Sequence, residues 1–214
     1  MIIKWYGQSC FQITANSNKN GPVNVIIDPY NESIGLKLPR KLEADLVLVT
    51  HDHEDHNNVK KIEGSPFIID GPGEYDVKNV FVHGIPSLHN KKGDKNTIYK
   101  IETEGIKICH LGDLGQKELT SEEVDAIGGV DILLIPVGGV FTIDGKEAVK
   151  IMSQIEPKII IPMHYKIPGL KIQLNPLDGF LKSLGIKSLE KLPKLNIKEK
   201  DLPEEEVKII ELEP

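Results

Sequence analysis

The chain has 214 residues, 39% of them hydrophobic and 27% charged, which is enough to bury a core without disulfides or metal staples. No apolar run approaches the roughly 20 residues of a membrane span, and the opening MIIKWYGQSCFQIT lacks the layout of a secretory signal, so a membrane protein is not expected. The formal net charge is −6 and Arg40 is the sole arginine, which leaves no broad basic footprint for nucleic acid.

In chain order, the first half reads as strands at 1–6, 10–14, 23–27, 46–49, 67–69, 80–85, 97–103 and 106–111, each short, β-branched or alternating and bounded by turn residues. NSNKNGP, at 16–22, has turn composition and predicts a hairpin, and GPGEYD, at 71–76, reads as a tight turn. The second half alternates. Thr120 with Glu123 has capping-box spacing, predicting a helix that stops near Gly128. A strand at 132–136 follows. Asp144 with Glu147 repeats the capping pattern, and apolar residues recur at helical spacing until Pro157. A strand at 158–162 comes next, so strand, helix and strand predict a parallel pair joined by a right-handed crossover. Asn175–Pro176 begins a further helix, with Gly185 as its stop. The Lys- and Glu-rich last 30 residues read as solvated surface, with an edge strand at 207–212. There is no internal repeat or linker, so 1–214 is expected to form one α/β domain with helices outside its sheet. Cys10 and Cys109 match no metal or redox spacing and are expected to be reduced thiols of a cytoplasmic protein. A homo-oligomer is left open as an alternative to a monomer.

The polar residues fall in a pattern. His51, His53, Asp55 and His56 follow the strand at 46–49, in LVLVTHDHEDHNN. His89 follows the strand at 80–85, Asp113 the strand at 106–111, and His164 the strand at 158–162. Each sits just beyond the C-terminal end of a strand, where open α/β sheets bind ligands. Imidazole nitrogen and carboxylate oxygen both suit zinc. His51 and His53, two apart in extended chain, project to one side and can share one ion. Asp55 and His56 can face a second, and Asp113, His89 and His164 can complete the pair. His110 is read as a packed or supporting residue, because strand alternation turns it away from its neighbours.

The pattern His51-x-His53-x-Asp55-His56 resembles the signature of the metallo-β-lactamase superfamily, and Gly112-Asp113 and Pro162-Met163-His164-Tyr165 look like its later motifs. Gly7-Gln8-Ser9-Cys10 and Ile27-Asp28-Pro29 look most like the small hydrolases related to the ascorbate-phosphate lactonases, although many relatives carry histidine where Gln8 stands. The resemblance covers roughly 1–170 of the chain. It implies an αββα sandwich of two mixed β-sheets, with a two-metal site in a cleft at one edge. It implies His51, His53 and His89 on one ion, Asp55, His56 and His164 on the other, and Asp113 between them, with His83 as a fallback for His89. Aspartate at 113, where true β-lactamases often place cysteine, speaks against that activity. Histidine at 53, where flavodiiron enzymes carry glutamate, speaks against an iron redox site.

The expected function is therefore a metal-dependent hydrolase holding two zinc ions, with Mn2+ or Fe2+ as alternatives. Metal-bound hydroxide would attack an ester, lactone or phosphodiester bond of a small-molecule substrate, with Asp55 and Asp113 orienting the nucleophile. Lys37, Arg40, Lys91, Lys92 and Lys95 lie in loops that can meet an anionic group. The alternative from a different class is a metal-binding or ligand-sensing module with little turnover.

Overall fold

A computed structural model of the chain describes residues 1–17, 21–90 and 93–214. Two mixed sheets pack face to face. The first carries six strands: β1 (Ile2–Trp5), β2 (Phe11–Ser17), β3 (Gly21–Ile27), β4 (Leu46–Leu48), β5 (Phe67–Ile69) and, from the far end of the chain, β13 (Leu195–Asn196), in the order β13-β1-β2-β3-β4-β5. The second carries eight: β6 (Gly73–Val77), β7 (Val80–Leu88), β8 (Lys95–Thr103), β9 (Ile106–His110), β10 (Ile132–Pro136), β11 (Ile159–Met163), β12 (Glu190–Leu192) and β14 (Lys208–Leu212), in the order β12-β14-β11-β10-β9-β8-β7-β6. Among the described residues three α-helices connect strands of the second sheet: α1 (Ser121–Ile127), α2 (Gly145–Ile155) and α3 (Asp178–Leu184).

Burial follows from sequence period. β1 and β2 alternate, so Ile3, Trp5, Phe11 and Ile13 enter the core while Lys4, Gln12 and Thr14 stay on the wetter face. β10 and β11, ILLIP and IIIPM, are buried at every position, as parallel strands covered on both faces must be. β9, β10 and β11 run parallel, so β10, α2 and β11 form the expected crossover unit. Both predicted capping boxes are present: Thr120 with Glu123 at α1, and Asp144 with Glu147 at α2. β2 and β3 pair antiparallel down to Ser17 opposite Gly21, as the expected hairpin requires; its residues 18–20 lie outside the described residues.

Three expectations are corrected. GPGEYD is not a tight turn. Its second half is β6, paired antiparallel with β7. The real turn is Lys78-Asn79, both in left-handed conformation, the backbone twist that a two-residue hairpin selects. The helix expected from Asn175 begins at Asp178, because the Asn175 main chain is bonded elsewhere, its N–H donating to Gly138 O and its carbonyl accepting from Lys166 N. The C-terminal tail is not merely surface. β14 lies between β11 and β12, inside the sheet rather than at its edge, and β13 extends the other sheet beside β1. Ile210 and Leu212, two apart, bury one face of β14, as do Leu195 and Ile197 in and after β13.

The two sheets are tied together where β4 ends. The Tyr99 hydroxyl, on β8, donates to Val49 O at 2.8 Å and Ile69 O at 3.2 Å, and Thr97 N donates to Thr50 O at 2.9 Å. The loop after β4 is thereby fixed against the second sheet.

The caps are testable apart from any site. Asp144 accepts from both Lys146 N and Glu147 N at 2.9 Å. Asp144→Ala is expected to lower stability by about 1 kcal/mol, read as a lower urea midpoint at unchanged slope.

Candidate metal centre

The seven side chains singled out in the sequence gather at one end of the sandwich in two groups. His51, His53 and His89 form one, and Asp55, His56, Asp113 and His164 the other; within each group the potential ligand atoms lie within 4.8 Å of one another. His51 and His56, one from each group, have ring centroids 4.1 Å apart. His83, the fallback, belongs to neither group. It sits in the body of β7, opposite Glu74 and Lys100, rather than at a strand end.

Hydrogen bonds at Nδ1 set three ring orientations. His89 Nδ1 faces the Asp113 carbonyl at 2.9 Å. A carbonyl only accepts, so Nδ1 donates and Nε2 keeps its lone pair. Thr50 Oγ1 donates to Asp28 Oδ2 at 2.8 Å and so accepts from His51 Nδ1 at 3.0 Å, which turns the His51 Nε2 lone pair toward His53 Nδ1, 3.0 Å away. His56 Nδ1 donates to Asp28 Oδ2 at 2.9 Å. Asp28 is fully buried at the end of β3, and its Oδ1 also accepts from Thr50 N at 2.8 Å.

Asp113 lies between the groups. Its Oδ2 is 3.1 Å from His164 Nε2, 3.3 Å from His56 Nε2 and 4.0 Å from His51 Nε2. Asn96 Oδ1 accepts from Asp113 N at 3.0 Å, and Ser9 Oγ donates to Asp113 Oδ1 at 3.3 Å. His110, as expected, supports from behind. It is fully buried, its Nε2 donates to Ser9 O at 2.9 Å, and its Nδ1 accepts from Gly112 N at 3.0 Å. Asp55 Oδ2 is 3.4 Å from His56 Nε2 and accepts from Gln8 Nε2 at 2.8 Å.

The backbone is strained where these residues meet. Gln8, Asp28 and His164 all adopt left-handed conformations, with φ of 53°, 48° and 52°. Two glycines allow main chains to touch. A Cβ on Gly115 would stand 1.6 Å from His89 O, and one on Gly138 would stand 2.1 Å from His164 O.

Charge is balanced in pairs. Burial opposes the charge on His56, but Asp113 and Asp28 outweigh it and lift its pKa well above the usual imidazole value. Burial, with the positive His56 beside it, pushes His51 down to about 3. Burial works against the Asp113 carboxylate, yet His164 and His56 hold its pKa well below the usual range. The thiols lie outside this network. Cys10 and Cys109 are both free and buried, and burial pushes Cys109 up to about 12.

The donor set fits divalent cations. The buried polar side-chain atoms left without a hydrogen-bond partner among the described residues are His56 Nε2 and His164 Nδ1, both in the second group, and Oε1 of Gln8, which is bonded to that group's Asp55. Such an atom costs about 1–3 kcal/mol unless something else satisfies it. Imidazoles with oriented lone pairs beside carboxylates are the ligands zinc takes. A cavity of about 590 Å³ opens beside His51, lined in part by Asp52, Asp70, Leu88 and Lys95. Lys37 and Arg40 are exposed, and Lys91 and Lys92 lie outside the described residues. Lys166 is engaged, its Nζ donating to Leu170 O and to Ile172 O.

The supporting residues Ser9, Asp28, Thr50 and Asn96 were not assigned roles from sequence. Asp28 did carry a signal: like His51, it is a polar group directly behind an apolar strand. No helix among the described residues is long and apolar enough to cross a membrane.

Comparison with known proteins shows the family and the fold. The beta-lactamase superfamily domain profile matches residues 2–164. A UPF0173 metal-dependent hydrolase of Thermococcus onnurineus is 32% identical, with 76% of this chain and 84% of that protein covered. A Thermotoga maritima structure assigned as a zinc-dependent hydrolase of the metallo-β-lactamase superfamily superposes with a TM-score of 0.79 at 38% identity, covering 99% of both chains. An Ignicoccus hospitalis metallo hydrolase shares the fold at 19% identity, with a TM-score of 0.66 and 92% and 99% of the two chains covered.

A prediction follows from the His56 charge. Its pKa is raised, so at pH 7 the cation-free ring keeps its proton, and ligation requires the neutral ring. Loading a divalent cation at pH 7 is expected to release about one proton per chain from this residue, with His51 already neutral. Calorimetric titration in buffers of different ionisation enthalpy measures the release; none would contradict the charge arrangement.

Proposed function

The chain belongs to the β-lactamase superfamily, and from that premise we propose that it is a metal-dependent hydrolase holding two zinc ions. The observation that carries this reading is the pair of adjoining ligand groups, His51, His53 and His89 beside Asp55, His56, Asp113 and His164. When bound, the ions supply Lewis acidity, lowering the pKa of a coordinated water and neutralising charge on a substrate oxygen. Mn2+ or Fe2+ would accept many of the same ligands.

The chain's own residues do the rest. Asp28, Thr50 and the Asp113 carbonyl each fix one imidazole by its Nδ1, so three Nε2 atoms are positioned before any ion arrives. Asp113, almost fully buried, turns one oxygen toward His56 and His164 of its own group and, at 4.0 Å, toward His51 of the other. Asp55 is the more exposed carboxylate, with 20% of its side chain open, and is the better placed to accept a proton from an attacking water. The cavity beside His51 gives a small-molecule substrate access. An ester, lactone or phosphodiester suits this equipment, because each needs an activated water and stabilisation of negative charge. A cytoplasmic setting fits the two free thiols.

Metal content and turnover test the reading together. The isolated protein is expected to carry about two zinc ions per chain and to hydrolyse members of a lactone, thioester and bis-aryl phosphodiester panel in a chelator-sensitive way. His53→Ala is expected to lose one ion and to drop kcat/KM at least about 100-fold, roughly 2.7 kcal/mol of transition-state stabilisation. Full occupancy and full rate in that variant would refute the assignment. Bound metal without turnover on any substrate would favour a ligand-sensing module.

A further inference from the structure

Gln8 lies in the turn between β1 and β2 and is fully buried. Its Nε2 donates to Asp55 Oδ2 at 2.8 Å, while its Oε1 is buried without a hydrogen-bond partner. A carboxylate only accepts, so the amide must turn its NH2 toward Asp55, and a flip cannot rescue the oxygen. The residue is held left-handed by two bonds to its carbonyl, from Trp5 Nε1 at 2.9 Å and His164 N at 3.0 Å. A leucine would fill similar space and leave no stranded acceptor. Core packing therefore gives no reason for glutamine here. A strained, incompletely satisfied polar residue against a ligand group is the pattern of a position kept for function at the expense of stability.

We propose that Gln8 is a positioning residue for the second ligand group. Its amide fixes the rotamer of Asp55, so that the carboxylate stays aimed at the space it shares with His56 and Asp113. Ser9, the next residue, bonds Asp113 Oδ1, so one turn of the first sheet braces both carboxylates of that group. This role rests on the reading of Asp55 as a ligand, and it adds that the cation's hold depends on a neutral amide outside the ligand set.

Gln8→Leu and Gln8→His in the full chain separate the possibilities. Gln8→Leu removes both the donor and the stranded oxygen. Its cation-free form is expected to melt at or above the parent's temperature. Its affinity for zinc at this group, read by chelator competition, is expected to fall about 10–100-fold, and kcat by a similar factor with KM changed less than about twofold. Gln8→His restores a ring N–H donor and is expected to recover much of the zinc affinity. A leucine variant with a lowered cation-free melting temperature and parental zinc affinity would mark Gln8 as packing alone. Should Gln8→Leu fail to fold, Gln8→Met, which keeps the chain length without the donor, takes its place, and parental zinc affinity in that variant would overturn the role. A parent chain that binds no zinc would overturn both this role and the metal-dependent reading. A parent that binds two ions, matched by Gln8→Leu, would overturn this role alone.

Discussion

The centre depends on one buried negative charge. Asp113 Oδ2 faces imidazoles of both ligand groups, 3.1 Å from His164 and 3.3 Å from His56, with His51 at 4.0 Å. A lone carboxylate buried here would be protonated rather than charged. It stays charged because His164 and His56 face one oxygen and Ser9 Oγ donates to the other, while Asn96 holds its backbone N–H. Those partners come from different sheets: Ser9 from the turn after β1, Asn96 from β8. Stability of the sandwich and geometry of the centre are therefore one problem, since neither sheet alone completes the environment of Asp113.

The same logic repeats one layer out. Asp28 accepts three hydrogen bonds, from Thr50 N, Thr50 Oγ1 and His56 Nδ1. It thereby couples the end of β3 to the loop after β4 and sets the orientation of two rings. Preorganisation of this kind removes the cost of collecting flexible side chains when a ligand arrives. The left-handed conformations of Gln8, Asp28 and His164 are the local expense of that order.

Much of this was legible in the sequence, for physical reasons. Apolar runs such as ILLIP and IIIPM, with capping boxes between them, dictate strand, helix and strand, and the structure follows closely. The histidines and aspartates were legible because polar groups directly behind buried strands are anomalous. What escaped was set by tertiary contact. β6 carries too few apolar residues to announce itself and pairs because β7 presents an open edge, while β14, legible as a strand, lies inside the sheet because β12 pairs along its outer side. Asn175 has helix-start chemistry, yet main-chain bonds to Gly138 and Lys166 keep it out of the helix. Gln8, Ser9 and Asn96 are ordinary polar residues whose importance lies only in what they touch.

The two glycines at the rear of the centre carry a consequence for how such a protein can diverge. Gly115 and Gly138 leave no space between their own main chain and the carbonyls of His89 and His164. Enlarging either residue would move a ligand before it changed any contact with a guest molecule. The floor is thus closed to gradual remodelling, and new selectivity must be written into the outer walls, among side chains such as Leu88 and Lys95 that line the cavity and already face solvent.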